Sequence, residues 1–80
     1  MSRIEFNNLN KQSKKILEQS NQYIDHFVKS GKQLNCLRLY KKDYLKVKQS
    51  IETVAKKNNI DFGVSDFRYR GLVIKCFDSA

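Results

Sequence analysis

Apolar side chains follow three rhythms along this chain. From Leu9 to Val28 they recur at helical spacing, as Leu9, Ile16, Leu17, Tyr23, Ile24, Phe27 and Val28, with Ser13 and Ser20 diluting the stripe. Asn7 and Asn8 are placed to cap a helix starting near Leu9, and Gly31 in "SGK" suits a left-handed residue closing it. A second helical stripe, Tyr44, Val47, Ile51, Val54 and Ala55, runs through "KKDYLKVKQSIETVAKKNN". Glu52 and Lys56 form an i,i+4 pair on that helix, and the Asn58-Asn59 pair marks its end.

The other two rhythms predict strands. "LNCLRLY", residues 34–40, carries apolar side chains on both faces and reads as a central strand. The alternation in "SRIEF", residues 2–6, suits a short first strand. Residues 60–77, rich in aromatic and β-branched side chains, predict a β-hairpin with a bulge near Gly63. The order is then (β)αβαββ. A crossover through the second helix sets the 34–40 strand parallel to one strand of the hairpin. The expected fold is α+β: one small domain over residues 1–80, a two-layer α/β sandwich with two helices on one face of a three- or four-stranded sheet.

A two-residue loop at Arg70-Gly71 fixes the hairpin register, pairing Tyr69 with Leu72, Arg68 with Val73 and Phe67 with Ile74. Phe67, Tyr69, Leu72, Ile74 and Cys76 then share the face assigned to the core, leaving Arg68, Val73, Lys75 and Phe77 on the other. Val73 and Phe77 are the part of this face that folding does not require. They predict a protein contact, either with a partner or with a second copy of the chain as a homodimer.

Charge changes the picture most. Sixteen Lys and Arg against eight Asp and Glu give the 80 residues a net charge of +8. The excess is one-sided, because residues 1–59 hold 13 basic and 5 acidic side chains while residues 60–80 hold three of each. Lys42, Lys46, Lys56 and Lys57 lie on the arc of the second helix opposite its apolar stripe, and Lys11, Lys14 and Lys15 cluster at the start of the first. Cations at a helix start oppose its dipole, at a cost of about a few tenths of a kcal/mol. Lysine suits phosphate contacts better than base reading, so this face predicts salt-sensitive, sequence-tolerant binding. Arg68 and Arg70 at the hairpin are auxiliary candidates.

Candidate chemistry is sparse. His26 follows Asp25, but neighbours on a helix point about 100° apart and do not make an acid–base pair. No nucleophile is nominated, no Gly-rich phosphate loop is present, and His26 with Cys36 and Cys76 lacks metal-ligand spacing. The expectation is therefore no catalytic residue, no metal and no cofactor. With no leader and no apolar run near the ~20 residues of a membrane span, the chain reads as a complete cytoplasmic protein with free thiols.

Two functions fit these features. One is a non-enzymatic protein whose lysine face engages nucleic acid or a nucleoprotein complex, with Tyr40 and Tyr69 as the aromatics best placed to stack on bases. The other is a protein-directed inhibitor that docks on an acidic, nucleic-acid-binding complex. Compact, Lys- and Asn-rich, motif-free composition suits a phage or plasmid accessory protein of that kind, anti-CRISPR-like anti-defence inhibitors included.

Overall fold

Asn10 opens the helical part of the chain in the computed structural model, which describes residues 3–77. Its Oδ1 accepts the Ser13 N–H at 2.8 Å, and α1 runs behind it over Lys11–Gln19. The cap lies beyond the expected Asn7 and Asn8 because Phe6–Asn8 coil into a 3-10 turn. There Asn8 Oδ1 accepts the Glu5 N–H at 2.8 Å. No strand forms over residues 3–6, and Ser2 lies outside the described residues. Ile4 is nevertheless 2% exposed, so this segment enters the core as a plug without joining a ladder.

The single helix expected over residues 9–29 is divided. α2 spans Asn21–Lys29, and Ser20 sits at the junction. The Ser20 hydroxyl donates to the Ile16 carbonyl at 3.3 Å, while its N–H bonds Leu17 in the tighter i−3 pattern. Such back-bonding bends a helix. Past the bend Ile24 stays in the core, but Tyr23 and Val28 are 50% and 63% exposed. Lys32 N–H then reaches Phe27 O and Gly31 N–H reaches Val28 O, with Gly31 at φ +73°: a Schellman stop.

β1 (Cys36–Tyr40) leads directly into α3 (Lys41–Lys57), whose end repeats that motif with Asn59 at φ +54°. Val47, Ser50, Ile51 and Ala55 are its buried face. Glu52 and Lys56 do not close into the expected ion pair; among the described residues the one ion pair is Arg70–Asp25.

β2 (Arg68–Tyr69) and β3 (Leu72–Phe77) form the terminal hairpin. Two of the three expected pairs form, Arg68 opposite Val73 and Tyr69 opposite Leu72; Phe67 and Ile74 do not pair, because β2 holds only Arg68 and Tyr69. Arg70 and Gly71 both have positive φ, as a type I′ loop requires. The hairpin is shorter than expected. Residues 63–67 make a turn closed by Asp66 Oδ2 on the Gly63 N–H at 3.0 Å, with no bulge at Gly63.

Strand order is β1-β3-β2, with β1 parallel to β3. β1 is thus an edge strand, not the central one. Only Leu37 and Leu39 are buried along it, and Cys36, Arg38 and Tyr40 point away from the helices. The helices cover one face of this mixed three-stranded sheet in a small α+β fold. Leu37, Leu39, Tyr69, Leu72 and Ile74 meet Leu17, Val47 and Ile51 in one core. Tyr69, expected at the surface as a base-stacking ring, is instead 8% exposed and its hydroxyl donates to Asn21 Oδ1 at 2.7 Å. Cys76 shares their phase yet is exposed. β2 is only two residues long, so among the described residues no strand pairs with the end of β3 on that side.

Candidate nucleic-acid interface

The helical lysine face is built by two contacts between α1 and α3. Asn10 N–H donates to Ser50 Oγ at 3.0 Å, and Ser13 Oγ donates to the Lys46 carbonyl at 3.3 Å. As the α1 number rises the α3 number falls, so the two helices run antiparallel. Between them lies a groove of about 420 Å³. Lys46, Gln49, Thr53 and Lys57 form one wall, and Asn8, Asn10 and Gln12 line the other. Among the described residues no carboxylate lines it.

Of the lysines expected on this face, the structure brings Lys46 and Lys57 together in the groove. Lys42 continues the same α3 stripe, and Lys56 lies beside Lys57, both exposed. On α1, Lys11 and Lys15 are exposed and Lys14 is half-buried, and none of the three lines the groove. The hairpin arginines are occupied internally. Arg68 Nη1 donates to the carbonyls of Ser65 and Phe67 at 2.7 and 3.0 Å, and Arg70 Nη2 pairs with Asp25 at 2.9 Å. His26 beside it is exposed.

A second surface lies on the side of the sheet that the helices leave uncovered. The β1–β3 register sets Cys36 beside Val73, Arg38 beside Lys75 and Tyr40 beside Phe77. Val73 is half-buried, while Phe77 is 42% and Tyr40 70% exposed. The Tyr40 and Phe77 rings pack nearly perpendicular, 74° apart with centroids separated by 5.8 Å. The chemistry of this face is therefore cationic and aromatic as well as apolar. Arg38 was not among the expected site residues, because a central strand would bury it. The alternation Leu37-Arg38-Leu39-Tyr40 was the available sign of a one-sided strand.

Beside this face, the free edge of β1 borders a groove of about 620 Å³ whose lining includes Ile16, Tyr23, Leu34 and Asp43. No group of three or more His, Cys, Asp or Glu side chains is arranged to hold a metal among the described residues. No helix among them is long and apolar enough to cross a membrane. Comparison with protein-family models, with curated proteins and with solved structures returned no match.

Proposed function

We propose that this chain is a non-enzymatic nucleic-acid-binding protein that holds the phosphate backbone along the lysine face of α1 and α3. One observation carries the reading. Lys46 and Lys57 flank a polar groove whose lining, among the described residues, offers amides and hydroxyls and no carboxylate. Neither lysine has an ion-pair partner among the described residues. Ammonium groups held in this way suit phosphate, with Gln12, Gln49 and Thr53 as neutral hydrogen-bonding partners. Contacts of this type neutralise phosphates and release counterions, so they depend steeply on salt.

The test is affinity for generic DNA and RNA at two salt concentrations, repeated after charge reversal at Lys46 and Lys57. For about four phosphate contacts, a fourfold rise in salt should weaken binding about a hundredfold. Charge reversal should remove most of the remainder. Absence of binding at low salt sinks the proposal, and unchanged binding by the double variant removes the assigned face from it.

Protein-directed inhibition of a nucleic-acid-binding complex is the second reading, and the groove along β1, whose lining mixes apolar and polar side chains, favours it. An edge strand flanked by Ile16, Leu34 and Tyr23 offers both backbone groups and apolar pockets to a partner. A cytoplasmic setting suits either reading, since Cys36 and Cys76 are both free thiols.

A further inference from the structure

The uncovered sheet face differs from the lysine face in kind. By strand register it carries Arg38 and Lys75 side by side and Tyr40 beside Phe77, with Arg68 across from Val73. Among the described residues of the three strands it bears three cations and no carboxylate. Among the described residues, Asp43 in the first turn of α3 lines the neighbouring groove together with Tyr40.

We propose that this face is a stacking platform for single-stranded nucleic acid. One base lies on Tyr40, with Phe77 as its buttress, and phosphates on either side meet Arg38 and Lys75. The inference rests on the nucleic-acid reading above and adds strandedness and a second contact surface. The perpendicular packing of the two rings holds Tyr40 against Phe77. That contact restricts the Tyr40 ring before a base arrives, and Tyr40, 70% exposed against 42% for Phe77, keeps the larger free area. Stacking on an aromatic ring needs a base with a free face, which a single strand offers and a duplex interior does not.

Charge decides against a second copy of the chain as the occupant. Two such faces brought together would set Arg38 and Lys75 against like charges, in a chain already carrying +8. Polyanionic single strands complement the same groups. α3 packs on the other side of the sheet, with its lysine stripe on the side of the helix away from the core. The two surfaces therefore face opposite directions and can be tested independently.

The experiment measures anisotropy of labelled oligo(dT) and of a labelled duplex of equal length at one fixed salt concentration, with tyrosine emission as a second readout. The wild type should bind the single strand more tightly and lose tyrosine emission on binding. Tyr40→Leu keeps apolar area but removes the ring. It should weaken single-strand binding about tenfold and leave duplex binding unchanged. Phe77→Leu should cause a smaller loss, and Tyr40→Phe should bind as the wild type does. Circular dichroism checks that each variant is folded, which the exposure of both side chains favours.

Equal affinity for strand and duplex, or a Tyr40→Leu variant that binds as the wild type does, overturns the platform while the lysine-face reading stands. A sedimenting dimer that Tyr40→Leu dissociates also overturns it, making the face an interface between copies. No binding to either probe removes the nucleic-acid reading and the platform with it.

Discussion

The Asn10 N–H donates to Ser50 Oγ at 3.0 Å, joining residues 40 apart in the sequence. Ser50 is 4% exposed, and no buried side-chain N or O atom among the described residues lacks a partner. Removing the hydroxyl strands the backbone donor of the helix-capping residue at the α1–α3 contact. Ser50→Ala should therefore cost about 1 kcal/mol, read as a lower urea midpoint with unchanged slope. Because this contact sets one wall of the lysine groove, the variant should also bind duplex somewhat more weakly while remaining folded.

Gly71 tests the hairpin separately from its packing. It sits at φ +81°, and an added Cβ would meet nothing within 4 Å. Any cost of Gly71→Ala is then purely backbone conformation. Left-handed geometry costs an L-residue about 1–2 kcal/mol, so the variant should lose about that much. A loss below a few tenths of a kcal/mol would mean that the type I′ loop is not held in solution.

Asn59 is the opposite case. At φ +54° it closes α3, where its N–H bonds Lys56 O while the Ile60 N–H bonds Ala55 O. Glycine adopts this conformation without a Cβ penalty. Asn59→Gly should stabilise the fold by about 0.5 kcal/mol, a rise of a few degrees in Tm for a domain this small. An unchanged or lower Tm refutes it.

Local signals carried most of the fold into view, and they failed where a distant contact decides. α3 was legible because its stripe is amphipathic and its stop is written in Asn58 and Asn59. The Arg70-Gly71 loop was legible because two-residue hairpins demand positive φ. The break at Ser20 was not, since a serine hydroxyl shows its back-bond only once the helix exists. Cys36 and Tyr40 made β1 look apolar on both faces, hiding an edge strand whose two faces differ. The lysine arc was visible on a helical wheel, yet its second wall comes from residues 8–12 and depends on antiparallel packing. The Arg38–Lys75 and Tyr40–Phe77 pairs each need the β1–β3 register, which no short window contains.

That register also governs the thiols. Cys76 lies opposite Leu39, so Cys36 is three residues further along the neighbouring strand and on the other face. Three residues of strand span about 10 Å, beyond the roughly 7 Å Cα separation that a disulfide tolerates. Both thiols should react with a thiol reagent in the native state, the exposed Cys76 before the half-buried Cys36. An intramolecular disulfide formed under mild oxidation, detected by mass, would contradict the register.

Asp43 separates the electrostatics of the sheet platform from the stability of the fold, because its removal should act on the two with opposite sign. It occupies the first turn of α3, where a carboxylate complements the helix dipole, so Asp43→Asn should cost about 0.5 kcal/mol of stability. The same carboxylate lines the groove that Tyr40 and Arg38 also line, and it repels an arriving phosphate. Neutralising it should strengthen oligo(dT) binding about twofold to fivefold at low salt, with the gain shrinking as salt rises. Duplex affinity at the lysine groove should stay constant, since Asp43 does not line that groove. A variant that lowers Tm and raises single-strand affinity fits local repulsion and cannot be produced by general unfolding. If Asp43→Asn lowers both, the single strand is not bound beside Tyr40.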